Sequence, residues 1–123
     1  MGKVDRRQTL ALAGEEAAGR FLQEQGMRIL ATRYRCRAGE IDLILNDREI
    51  LVFVEVKTRK VAGRGQPWEA VHHRKRLKIA TVARWFLAET AQQLRTCRFD
   101  VVDVLGSGPE NFRIRHFPDA FRL

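Results

Sequence analysis

Two short apolar runs carry charged side chains where charge is unusual. They are Glu40 and Asp42 in Gly39-Glu40-Ile41-Asp42-Leu43-Ile44, and Glu55 and Lys57 in Val52-Phe53-Val54-Glu55-Val56-Lys57-Thr58-Arg59. Both runs are rich in β-branched residues and bracket the polar Asn46-Asp47-Arg48. That pattern predicts strands over 40–46 and 49–58 joined as a tight antiparallel hairpin. Side chains alternate between the faces of a strand. Glu40, Asp42 and Ile44 therefore share a face, opposite to Ile41, Leu43 and Leu45, while Phe53, Glu55 and Lys57 share a face of the partner strand. A two-residue turn at Asp47-Arg48 opposes Glu40 to Glu55 and Asp42 to Phe53; a turn one residue later sets Asp42 directly against Glu55. Either register gathers Glu40, Asp42, Glu55 and Lys57 on one face, with opposed or diagonal neighbours about 4.5–8 Å apart.

Three carboxylates at that spacing repel unless a cation joins them. A hard divalent ion such as Mg²⁺, or Mn²⁺ in its place, prefers oxygen ligands and retains several waters. Such an ion lowers the pKa of a bound water and stabilises charge on a phosphoryl oxygen. A lysine on the same face orients or deprotonates that water, and Lys57 is expected to offset the repulsion in the metal-free protein. The competing reading is a solvated sheet face on which Glu and Lys pair as surface charges. Periodicity alone leaves both open.

The elements that must position these residues follow from pattern. Leu10, Ala11, Gly14, Ala17, Ala18, Phe21 and Leu22 recur at the α-helical period, predicting a first helix over 9–25 that Gly26 ends. Residues 28–36 read as a strand in which Arg33, Arg35 and (just beyond it) Arg37 recur at period two. Gly63, Gly65 and Pro67 punctuate a loop, and 67–90 reads as a long second helix. Final strands are expected over 98–105 and 111–117, joined by Gly106-Ser107-Gly108-Pro109. The order α-β-β-β-α-β-β describes an α/β domain with a mixed sheet, one domain over residues 1–123.

On the second helix Val71, Ile79, Val82 and Phe86 form the apolar side, and Lys75 projects from its middle. Either its stem packs while the ammonium escapes to water, or it stands at the edge of the acidic site or on a substrate phosphate. His72-His73-Arg74-Lys75-Arg76 with Lys78 is either a solvated helix start or, with Arg59, Lys60 and Arg64, a phosphate-tracking rim. Trp68 stacks on a base or staples the loop to the helix; Trp85 and Phe86 read as core.

Composition bounds the partners. Lys and Arg number 23 against 15 Asp and Glu, a net charge of +8. That excess favours a polyanion, nucleic acid before an acidic membrane surface. Basic residues at the start lead into no apolar segment, so neither a signal peptide nor a transit peptide is expected. No apolar run approaches the roughly 18–20 residues needed to span a bilayer. Cys36 and Cys97 are lone and distant, which points to reduced thiols in the cytoplasm and no zinc knuckle.

Gly39-Glu40-Ile41-Asp42-Leu43-Ile44 followed by Val52-Phe53-Val54-Glu55-Val56-Lys57-Thr58-Arg59 resembles the YraN family of small bacterial proteins. These are described as endonuclease-like and similar to archaeal Holliday junction resolvases and other PD-(D/E)xK nucleases. The likeness runs from about Gly14 to Val104 and includes Arg98-Phe99-Asp100-Val101-Val102. It implies a restriction-endonuclease-like core in which Asp42 and Glu55 bind the metal, the Val56 carbonyl completes the ligands and Lys57 is the catalytic lysine. The first helix often supplies another acid in such proteins, and Glu15, at the edge of the apolar stripe, fits better than Glu16, which points away. The resemblance also implies a homodimer, as in junction resolvases that cut two strands.

Three function classes follow. The first is a metal-dependent endonuclease hydrolysing phosphodiesters in DNA, branched DNA included. The second is a non-catalytic nucleic-acid-binding module that keeps the fold and the basic rim. The third is a regulatory interaction protein in which the acids are structural.

Overall fold

The computed structural model describes residues 6–61 and 72–122. Along the chain run α1 (Arg6–Glu24), β1 (Arg28–Cys36), β2 (Gly39–Asp47), β3 (Ile50–Arg59), α2 (His73–Glu89), β4 (Cys97–Leu105) and β5 (Arg113–Phe121). A 3₁₀ turn over Pro109–Asn111 joins β4 to β5. The strands form one sheet in the order β1-β2-β3-β4-β5, antiparallel except for the parallel β3–β4 pair that α2 connects. The expected element order and mixed sheet are therefore present.

α1 ends where Gly26 takes φ +96°. Met27 N–H donates to the Leu22 carbonyl at 3.1 Å and Gly26 N–H to that of Gln23 at 2.9 Å, capping the carbonyls a helix leaves unpaired. The helix predicted over 67–90 is shorter. It begins at His73, because His72 is extended (φ −66°, ψ 160°). Residues 62–71, which include the loop glycines, Arg64, Pro67, Trp68 and Val71, lie outside the described residues. The last strand also runs further than expected, to Phe121.

Alternation along β2, β3 and β4 splits the core between the two faces of the sheet. Ala18 and Leu22 of α1 pack on Leu43, Leu45, Val52, Val54, Val102 and Val104. Ile79, Val82, Ala83 and Phe86 of α2 pack on Ile44, Leu51, Phe53 and Val101. The result is a helix–sheet–helix sandwich. One alternation fails: Ile41, expected beside Leu43 and Leu45, packs instead with the α2 cluster. Trp85 is a second departure; it is 40% exposed, whereas its neighbour Phe86 is core. Among the described residues no helix is long and apolar enough to cross a membrane.

Candidate active site

The hairpin takes the later of the two turns. Asp47 pairs with Ile50 across Arg48-Glu49, and Arg48 adopts φ +59°, the left-handed conformation that primed hairpin turns require. Pairing continues to Leu43 opposite Val54 and stops there, one step short of Asp42 and Glu55. The strands part just where the acids begin. The alternation failure between Ile41 and Leu43 lies at the same place, so Asp42 is turned into the gap between β2 and β3.

A hydrogen bond fills that gap. Asp42 Oδ2 accepts the Val56 N–H at 2.7 Å, in place of the ladder bond that β2 no longer supplies. The N–H and C=O of one strand residue point to the same side, so the Val56 carbonyl points to the edge of β3 that its N–H faces. Burial pushes the Asp42 carboxyl up to about 7, and the charges of Glu55 and Glu15 add to that; the Val56 N–H and the Lys75 ammonium pull the other way.

Glu55 projects toward α2, where its Oε1 meets Lys75 Nζ at 2.9 Å; the Glu55 side chain is 14% exposed and that of Lys75 50%. Glu15 reaches the same place from α1. α1 lies close on β3 because Gly14 faces Thr58, whose side chain occupies the space a Cβ at Gly14 would take. Burial is the largest influence on the Glu15 carboxyl and raises its pKa, with Glu40 and Glu55 adding and Arg33 opposing. Arg33 Nε stands 3.9 Å from Glu15 Oε2. Glu16, by contrast, is exposed and paired with Arg20. Glu40 is exposed at the entrance to β2, 3.5 Å from Arg35 Nε.

Lys57 is exposed and sits opposite Asp103 in the parallel register. The counter-ion role expected of it falls to Lys75, which arrives from the other layer and left no signal beyond a charge in an apolar stripe. The basic rim is dispersed. Arg59 is drawn inward, donating to Asp103 Oδ1 at 3.0 Å, while Arg115 holds the other oxygen at 3.0 Å. Arg76 lies over the Phe121 ring at 5.0 Å, toward β5. Lys60, Arg74 and Lys78 are exposed, and the Lys78 stem passes beside Gly39 at the start of β2. Arg64 lies outside the described residues.

Sequence pattern also missed two buried acids in β4. Asp100 accepts from Arg98 Nε at 3.0 Å and from the Asp119 N–H at 2.9 Å, and lies 2.7 Å from His116 Nε2. Asp103 is the clamp for Arg59 and Arg115. Two acids at positions 100 and 103 of an apolar strand were the only available signal.

The carboxylates of Asp42 and Glu55 suit a hard cation, and an ammonium is already drawn onto Glu55 in a cation's place. Among the described residues, however, no three His, Cys, Asp or Glu side chains are gathered closely enough to enclose an ion.

Comparison with known proteins gives one consistent result. The model of the uncharacterised protein family UPF0102 matches residues 14–104. A UPF0102 protein of Nocardia farcinica is 48% identical over 121 residues, covering 98% of this chain and 95% of the relative. Those of Symbiobacterium thermophilum and Pelotomaculum thermopropionicum are 46% and 40% identical, covering 89% and 96% of this chain and 92% and 99% of the relatives.

Proposed function

The chain belongs to the uncharacterised protein family UPF0102, the YraN family, and for it we propose metal-dependent hydrolysis of phosphodiester bonds in DNA, branched DNA included, on a restriction-endonuclease-like fold. The observation that carries this reading is the buried Asp42 carboxylate held by the Val56 N–H where β2 leaves β3, with Glu55 on the adjoining strand already paired to the Lys75 ammonium and the charge of Glu15 felt from α1. An acid whose pKa is raised first by burial and then by neighbouring carboxylates is a place where a cation is stabilising. The protein is read as acting in the cytoplasm, as a homodimer where two strands are cut.

Asp42, Glu55 and the Val56 carbonyl would hold Mg²⁺ or Mn²⁺, with Glu40 at the outer edge. Once bound, the ion supplies a more acidic water and neutralises charge on the phosphoryl oxygens. The Val56 N–H fixes the Asp42 carboxylate, so its free oxygen direction is set before any ligand arrives. Glu15, raised in pKa by burial, is the site's further acid and can hold or release a proton. Lys57, exposed on the strand that carries Glu55, directs an ammonium at the attacking water. Lys60, Arg74 and Lys78 meet the backbone phosphates.

Thermal unfolding tests the assignment. Saturating Mn²⁺ at about 100 times its Kd should stabilise the wild type by about 2.7 kcal/mol. Asp42→Asn and Glu55→Gln should lose that shift and Glu16→Gln should keep it. Equal shifts in all three variants would place the ion elsewhere. One observation favours a second reading, a nucleic-acid-binding module without turnover: no three acids are yet gathered around a common point among the described residues. In that case DNA binds and is never cut.

A further inference from the structure

Three of the four acids at the site have a cation of their own. Glu15 has Arg33 at 3.9 Å, Glu40 has Arg35 at 3.5 Å and Glu55 has Lys75 at 2.9 Å. Asp42 has none within ion-pair distance among the described residues and accepts only the Val56 N–H there. The three pairs are not alike. Those of Arg33 and Arg35 are long and join neighbours on the β1 side. Lys75 crosses from α2, is the shortest of the three, and its charge also acts on Asp42.

We infer that Lys75 is a built-in, displaceable counter-cation: its ammonium occupies Glu55 until a divalent ion takes that carboxylate, so metal loading is an exchange of cations. The inference rests on the metal site proposed above and adds a residue that the reaction itself does not use. Geometry supports displacement. The Lys75 side chain is half exposed on a four-carbon stem in the first turns of α2, so water can receive the ammonium when it leaves. The exchange keeps Glu55 and Asp42 from facing each other uncompensated in the metal-free protein. It also weakens the ion's grip, because each ion bound must break the Lys75–Glu55 pair. The displaced ammonium remains beside the loaded site, free to meet a phosphate.

The test is calorimetric titration of Mn²⁺ into full-length wild type, Lys75→Met and Lys78→Met, with thermal unfolding of each metal-free protein. Methionine keeps the packing stem and removes the charge. Lys78→Met removes the same charge one turn along the same helix. Lys75→Met should bind Mn²⁺ about two- to fivefold more tightly than wild type, the order expected for loss of one partly exposed pair. Its metal-free melting temperature should fall, and Mn²⁺ should raise it by more than in wild type. Lys78→Met should match wild type in both. Unchanged or weaker Mn²⁺ binding by Lys75→Met overturns the exchange while leaving the metal site standing. An equal gain in Lys78→Met reduces the effect to the general field of α2 and also overturns it. Absence of Mn²⁺ binding in all three proteins removes the metal site and the inference together.

Discussion

At the scale of single residues, Asp42 carries the conflict that defines the site. Its carboxyl titrates near 7 in the fold against 3.8 for the free side chain, chiefly through burial. A raised folded pKa means that the fold prefers the neutral acid. The contribution is fully present below about pH 4 and is lost as pH rises through about 7. In EDTA, Asp42→Asn should therefore match wild type near pH 4 and exceed it at pH 8 by about 1–3 kcal/mol, less than the full shift implies because neighbouring acids respond. Urea unfolding at the two pH values measures this, and a variant less stable at pH 8 would contradict it. The short turn made the register that aligns Asp42 with Glu55 legible as one of two options. The alternation expected to set Asp42 on one face with Glu40, Glu55 and Lys57 fails between Ile41 and Leu43. The partner of Glu55 was legible only as one of two readings of Lys75, the charge in the apolar side of α2, while the counter-ion role was expected of Lys57, two residues away. Nothing local distinguishes the ammonium that folds back from the one that stays in water.

Elements succeed or fail by how closely they approach. The helix–strand contact of Gly14 with Thr58 brings Glu15 to the acids, and a methyl there would fall on the Thr58 side chain. Gly14→Ala should destabilise the fold by about 1–3 kcal/mol through overpacking. It should also weaken Mn²⁺ binding, whereas Gly19→Ala, whose nearest contact is the flexible end of Ile29 at 3.1 Å, should spare the metal. A melting scan with a Mn²⁺ titration separates the two. Toward the β5 edge of the sheet Asp100 joins β4 to β5 through Arg98, His116 and the Asp119 N–H. Although burial opposes ionisation, these partners hold its pKa below the usual carboxylate range. Stability from Asp100 is present above the ordinary aspartate pKa and is lost as pH falls through its lower folded value. Asp100→Ala should cost about 3–5 kcal/mol at pH 7, since it strands buried partners. Strand positions were readable from β-branched alternation, yet the start of α2 was not. Basic residues continue a helical pattern through His72 at no sequence-level cost, while the backbone there is extended.

For the whole molecule, a net charge of +8 favours a polyanionic partner and says nothing of its sequence. The fold distributes that charge unevenly. Arg59 and Arg115 are spent on Asp103 and Arg98 on Asp100, leaving Lys60, Arg74 and Lys78 among the exposed cations. Neutralising these three should weaken DNA binding and lower the salt slope by about 0.9 for each phosphate no longer neutralised, with Mn²⁺ affinity unchanged. Fluorescence anisotropy over a salt series gives the slope; an unchanged slope would move the interface to Arg33, Arg35 and Arg37 or away from the site. Composition announced this surplus, but which arginines are buried in ion pairs depends on β4 lying parallel to β3, a long-range pairing.

Cleavage of branched and linear DNA with Mn²⁺ decides whether the acids where β2 parts from β3 hydrolyse DNA. Wild type, Asp42→Asn and Lys57→Ala are compared at equal DNA occupancy, set by anisotropy. Wild type should cut, Asp42→Asn should neither bind the ion nor cut, and Lys57→Ala should bind both ion and DNA yet lose about 10²–10⁴-fold in rate. Wild type that binds Mn²⁺ and DNA but cuts no substrate, or Lys57→Ala that cuts as fast as wild type, would contradict hydrolysis by this set of residues.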